Sequence, residues 1–205
     1  MPDLPPGRED IFVVFVEGKP GREVAYRDWF AGVHMADMRA LPGVASAHAY
    51  RLQAAEGAPP AELCALYEFA AGAAVLETIG RSKGTPALPH SQDQGRMVWR
   101  LFETVQAWPA AALPNGPVVL ALLETPRGSA APLDAGAALA AEGAAYVRAL
   151  GLSPAQPVRG SEFGGALLVH WQAATPDPVQ ATAERLDRSL PGLPRTLLLA
   201  TPIVG

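Results

Sequence analysis

The sequence predicts an α+β protein made of two tandem β-α-β-β-α-β units, residues 1–110 and 111–205. Three observations carry this expectation. The same order of apolar runs and helical stretches occurs twice, on either side of a connector at 110–117 that contains Pro114-Asn115-Gly116-Pro117, and recurrence of element order is how an internal repeat shows itself. In both halves the first and third strand segments are apolar on both faces while the second and fourth are mixed, which suits a unit whose first and third strands lie at the centre of its sheet. With both helices on one side, the other sheet face would remain a large exposed apolar patch. Two such sheets packed face to face would cover each other.

The elements follow in order. Ile11 to Val16 is continuously apolar, β-branched and aromatic, and Glu17-Gly18-Lys19-Pro20-Gly21 closes it, so it reads as a strand buried on both faces. From 22 to 41 only Gly32 interrupts the helix formers, and Tyr26, Trp29, Phe30, Val33 and Leu41 fall in one sector of a 3.6-residue wheel, which predicts an amphipathic helix. Pro42-Gly43 ends it, and 44–52 alternates small residues with Ser46, His48 and Tyr50 as a second strand. Leu63 to Phe69 is a third strand, 71–81 a short helix around Val75, Leu76 and Ile79, 82–95 a polar loop, and 97–108 a fourth strand. In the second half the pattern predicts strands at 118–124, 158–163, 166–172 and 195–204, with helices at 134–150 and 179–190. Matching Arg39-Ala40-Leu41 to Arg148-Ala149-Leu150 aligns the two long helices and sets His34 against Gly143, Asp37 against Tyr146 and Trp29 against Ala138. On that alignment the second half cannot repeat the polar chemistry of the first.

Composition narrows the function classes. The net charge is -4, and the 16 Lys and Arg residues are scattered singly, without the basic stripe that would neutralise consecutive phosphates, so no nucleic-acid partner is expected. The first residues lack a positive segment followed by an apolar one, and the longest aliphatic run, near 118–123, is far too short to span a bilayer. No membrane partner is expected, and the predicted location is the cytoplasm. Cys64 stands alone in an apolar run and reads as a core residue.

Trp29-Phe30, His34 and Asp37, followed by Leu41-Pro42-Gly43-Val44 and then Tyr50-Arg51-Leu52, resemble the dimeric α+β barrel superfamily, and within it the EthD-like branch. The resemblance covers about residues 11–105; the second half joins it by element order. Members of that superfamily are usually single ferredoxin-like units whose sheets pair across a dimer. The resemblance therefore implies two tandem ferredoxin-like units closed as an intramolecular dimeric α+β barrel, a pseudo-dimer within one chain that leaves a homodimer of the whole chain open. It also implies a small-molecule ligand, and chemistry drawn from a set that includes cofactor-free monooxygenases, isomerases, cyclases and haem-handling proteins.

His34 is the residue singled out for chemistry. It lies at the edge of the apolar helix face with Asp37 three residues on, and a carboxylate one turn away can orient an imidazole and raise its pKa, giving an acid or base usable near neutral pH. The pair could equally be structural, capping the helix-to-strand corner, or a metal or haem ligand. Trp29, Phe30, Tyr50 and Tyr67 are candidate walls of an apolar pocket, or plain core. Glu68, inside the apolar third strand, needs a partner, for which Arg51 or Arg100 would serve. His170 reads as a satisfied histidine, His48 as facing a neighbouring strand and His90 as a loop residue. Metal-ligand frameworks, glycine-rich phosphate loops and the G-x-S-x-G elbow are absent, so neither metal nor cofactor is expected. The functional expectation is a small-molecule-binding protein of the EthD-like kind, acting without cofactor on an apolar or aromatic oxygen-bearing metabolite. The alternative is a non-catalytic binding or assembly module.

Overall fold

Eight antiparallel strands close into one barrel, in the order β1-β3-β2-β8-β5-β7-β6-β4 and back to β1. The computed structural model describes residues 10–56, 61–69, 72–109, 114, 116–154, 156, 163–172 and 175–203, with side chains described at all of these except 10, 54–56 and 72–76. The strands are β1 (Asp10–Gly18), β2 (Val44–Glu56), β3 (Leu63–Phe69), β4 (Gln94–Trp108), β5 (Val118–Leu123), β6 (Tyr146–Leu152), β7 (Gly165–His170) and β8 (Arg195–Pro202). The helices are α1 (Glu23–Trp29), α2 (Met35–Ala40), α3 (Gly72–Ser82), α4 (Ala131–Ala141) and α5 (Pro178–Ser189), and a π-helical turn (Phe30–His34) joins α1 to α2.

The continuous apolar strands owe their pattern to having protein on both sides. Ile11, Val13 and Phe15 of β1 point into the barrel, where they meet Cys64 and Leu66 of β3, Leu120 and Leu122 of β5, and Leu168 of β7. Phe12, Val14 and Val16 point outward against Tyr26, Phe30 and Met35 of the first helical layer. A third core, with Leu139, Trp171 and Leu186, lies between α4, α5 and the outer face of β5–β8. Each fully buried Val, Leu, Ile or Phe contributes about 1.5–3 kcal/mol, and the barrel interior takes such residues from both halves of the chain. The apolar sheet face that would lie bare in one half is thus covered by the other.

Two long strands make the closure. β2 pairs with β3 over Val44–Arg51 and with β8 over Tyr50–Glu56, while β4 pairs with β1 over Gln94–Glu103 and with β6 over Phe102–Trp108. Each strand passes from a partner in one half to a partner in the other, and closure leaves no unpaired sheet edge to template aggregation.

The second half departs from the sequence expectation at one point with wide consequences. The predicted helix at 134–150 stops at Ala141, and Tyr146–Leu152 is β6, a strand buried over most of its length. Alanine's high helix propensity masks the break, which falls at Gly143 with φ +96°, a left-handed conformation that ends a helix and favours glycine. The alignment of Arg39-Ala40-Leu41 with Arg148-Ala149-Leu150 fails with it, since Arg148 belongs to a strand, and so do the pairings of His34 with Gly143, Asp37 with Tyr146 and Trp29 with Ala138. The strand expected at 158–163 lies outside the described residues apart from Phe163, which precedes β7. Val75 and Leu76 fall within α3, and their side chains lie outside the described set.

Arg148 resolves the question of Glu68. Both side chains point into the barrel, and Arg148 Nη1 donates to Glu68 Oε1 at 2.7 Å, with 1% and 2% of the side chains exposed. Ser46 donates to the other carboxylate oxygen, and the guanidinium lies 5.7 Å from the Tyr146 ring centroid. The expected partners are engaged elsewhere, Arg51 with Glu62 and Arg100 with the Trp99 carbonyl. A carboxylate from β3 is thus neutralised across the barrel by a cation from β6.

Candidate ligand site

The site grows out of the way α1 runs into α2. Met35 N–H donates to the Phe30 carbonyl, a five-residue spacing that widens one turn into a π-turn. In such a turn a side chain stands beside those four and five residues earlier. The His34 ring accordingly stacks on Phe30, with centroids 5.4 Å apart and planes at 17°, and on Trp29, at 5.1 Å and 26°. The same insertion turns Val33, expected with the apolar sector, off the buried face, and it is 49% exposed.

Opposite this helical wall lies the outer face of β1, β3 and β4, presenting Phe12, Val14, Tyr67 and Trp99. Between them is a cavity of about 260 Å³, walled on the third side by Ile79 and Lys83 at the end of α3 and by Leu88, Pro89 and His90 of the following loop. That loop, expected only as a polar stretch, is tied down. Lys83 and Leu88 form a parallel bridge, Gly84 N–H donates to the Leu88 carbonyl at 2.9 Å, and Leu88 is buried in the core beneath. Arg22 at the start of α1 holds Asp93 through two hydrogen bonds of 2.8 and 3.0 Å.

Two polar groups of the wall, His34 and Tyr67, meet each other. His34 Nε2 lies 3.1 Å from the Tyr67 hydroxyl, while His34 Nδ1 is buried with no partner among the described residues. Burial pushes the imidazole pKa down from 6.5 to about 4, and burial also raises the Tyr67 phenol well above its ordinary value. At neutral pH both rings are therefore uncharged. A neutral imidazole bonded to a phenol at one nitrogen offers its other nitrogen as one hydrogen-bond donor or acceptor, according to tautomer. Such a group can orient or polarise a ligand oxygen; an efficient general base needs a pKa nearer the working pH.

The sequence-derived candidates divide. Trp29, Phe30, His34 and Tyr67 come together in the cavity wall. Tyr50 does not: it points into the barrel on the far side of the sheet, with its hydroxyl buried and unpartnered among the described residues. Asp37 is half-buried outside the wall, and its carboxylate forms no hydrogen bond with His34 among the described residues. The carboxylate-raised imidazole expected from the spacing is replaced by one whose pKa burial depresses. His48 faces the barrel interior, its ring 6.3 Å from that of Tyr50, and burial is the main cause of its lowered pKa, against the opposing charge of Glu68. His170 Nδ1 donates to the Pro117 carbonyl at 2.8 Å. Sequence reasoning missed Met38, Lys83, His90 and Trp99 as wall residues; the alternation of β4 marks Trp99 as facing one side without saying which. No group of three or more His, Cys, Asp or Glu suited to a metal ion occurs among the described residues.

No family model matches the chain, and no curated protein matches it by sequence. Solved structures do match over nearly its whole length. A protein provisionally named as a chlorite dismutase superposes with TM-score 0.58 at 11% identity, covering 96% of this chain and 95% of its own. A mutant chlorite dismutase from Candidatus Nitrospira defluvii gives 0.57 at 9% identity, covering 96% and 92%. The fold is that of the dimeric α+β barrels. An anthrone oxidase-like protein, with TM-score 0.50 and 14% identity over 95% of this chain and 91% of that one, shares it. At such identities the likeness concerns the fold alone.

Proposed function

We propose that the chain is a small-molecule-binding protein of the EthD-like kind, two tandem ferredoxin-like units (1–110 and 111–205) closed on each other, with its ligand site in the cavity of the first. The ligand is an apolar or aromatic metabolite bearing an oxygen atom. The observation that carries this reading is His34: an uncharged imidazole in the wall of a largely apolar cavity, bonded to Tyr67 on one side and, among the described residues, unpartnered at Nδ1 on the other. A buried polar atom without a partner costs about 1–3 kcal/mol, and a ligand oxygen placed against it would recover much of that. A cavity of about 260 Å³ is small among ligand sites and suits a body of one or two fused rings. Trp29, Phe30 and Trp99 would hold that body by stacking, as the apolar lining of such sites does.

If the protein is an enzyme, it is a cofactor-free oxygenase, isomerase or cyclase in which His34 and Tyr67 polarise the substrate oxygen. The second reading, binding without turnover, gains from the depressed imidazole pKa, which disfavours proton abstraction at neutral pH. Asp37 has no role in either reading, and the cytoplasm remains the proposed location. The test is titration of the protein with 2-naphthol and with naphthalene, followed by calorimetry. His34→Gln should weaken 2-naphthol binding about tenfold, the scale of one lost hydrogen bond in a dry site, and leave naphthalene nearly unchanged. Equal loss for both probes would refute the assigned role of His34.

A further inference from the structure

We infer that the ligand of the His34 cavity is an amphipathic acid: an apolar body with a hydroxyl or carbonyl oxygen at the buried end and a carboxylate at the open end, where Lys83 meets it. The inference rests on the cavity reading above and adds the class of ligand. Although the chain carries 20 acidic against 16 basic residues, the wall contains Lys83, His34 and His90 and neither Asp nor Glu among the described residues. A cationic ligand would find no counter-charge there.

Lys83 also differs from the other cations near this rim. Arg22 is neutralised by Asp93 at 2.8 Å and Arg96 by Glu17 at 3.1 Å, whereas Lys83 has no carboxylate partner among the described residues. Its backbone is fixed all the same. Lys83 N–H donates to the Ile79 carbonyl at 2.9 Å, and the turn from Lys83 to Leu88 is closed by Gly84 N–H on the Leu88 carbonyl and anchored by burial of Leu88. The side chain is exposed while lining the cavity, the disposition of a lysine whose alkyl stem covers apolar surface and whose ammonium stays at the water boundary. The cavity therefore has two polar ends of different kinds. At the buried end a neutral imidazole and phenol suit an uncharged oxygen, since a charge there would be desolvated; at the open end a hydrated cation suits an anion.

The test uses the full-length protein and three probes: 6-hydroxy-2-naphthoic acid, its methyl ester and 2-naphthol, titrated by calorimetry at low ionic strength. The acid should bind about twofold to fivefold tighter than the ester, the range for one ion pair at a solvated rim. Its advantage should shrink in about 0.5 M sodium chloride, where the screening length falls to a few ångströms. In Lys83→Met, acid and ester should bind alike; in Lys83→Arg the acid should keep its advantage. Equal affinities in the unaltered protein, or a preference that survives Lys83→Met, would overturn the inference while leaving the cavity reading intact. Failure of all three probes to bind would overturn the cavity reading and the inference together.

Discussion

Acidification should destabilise this protein through His34 before its carboxylates are protonated, and the size of the effect can be worked from the buried imidazole. The unfolded chain binds a proton on this residue near pH 6.5, and the folded chain only near pH 4, because burial disfavours the charged ring. The folded-state value is the lower one. The stabilisation is therefore complete above about pH 6.5 and is lost as the pH falls towards about 4. Each pH unit between the two values removes at most about 1.4 kcal/mol, so the whole interval removes at most about 3 kcal/mol, and less in so far as the half-buried ring keeps some contact with solvent. Against a typical domain stability of about 5–15 kcal/mol this is a large fraction. Urea unfolding of the unaltered protein and of His34→Gln at intervals from about pH 8 to about pH 4 isolates the term, because His48 and the carboxylates titrate in both. The difference between the two curves should be flat above about pH 7 and should move by about 2–3 kcal/mol in favour of the variant by about pH 4. Curves that stay parallel would show that the imidazole ionises as freely in the folded protein as in the unfolded chain, and the neutral His34–Tyr67 pair would have to be abandoned.

Two further outcomes test the barrel. Glu68→Leu or Arg148→Met, each removing one member of the buried Arg148–Glu68 ion pair, should lower the unfolding free energy by about 3–5 kcal/mol, and the two changes together should cost less than either alone; strictly additive losses in urea titrations would show that the two groups do not act as a pair. A chain truncated after residue 113 loses the strands that pair with the ends of β2 and β4 and exposes Ile11, Val13, Phe15 and Leu66, so it should self-associate or aggregate in size-exclusion chromatography, where a soluble, stable monomer would contradict the account.

The parts of the fold legible in the sequence are those whose burial repeats along the chain. Ile11 to Val16 and Leu63 to Phe69 are apolar at nearly every position because a barrel core lies on one side and a helix layer on the other, and Glu68 is the charged exception that Arg148 meets across the barrel. Tyr146 to Leu152 has the same burial, yet Arg148 in its middle and the alanine run before it give the look of a helix; only Gly143 marks the break. The partner that makes a buried Arg148 tolerable stands 80 residues away at Glu68, and local pattern carries no trace of that pairing. At the site, the residue types Trp29, Phe30, His34 and Tyr67 are visible in the sequence, but their geometry turns on the π-turn. A 3.6-residue wheel keeps Val33 on the apolar face and sets His34 with Asp37, whereas one inserted residue exposes Val33 and stacks His34 on Trp29. Lys83 and His90 join the wall only because the loop folds back on Leu88, a contact without periodic signature.

A crystal structure of the complex with 2-naphthol tests the central claim most directly. The account places the naphthyl ring in the cavity between the Trp29 and Trp99 side chains, with the naphthol oxygen within hydrogen-bond distance, about 2.7–3.2 Å, of His34 Nδ1 and the Tyr67 contact to Nε2 retained. A ligand bound elsewhere on the barrel, or one in the cavity with its oxygen turned away from an Nδ1 that is satisfied by protein, would contradict it.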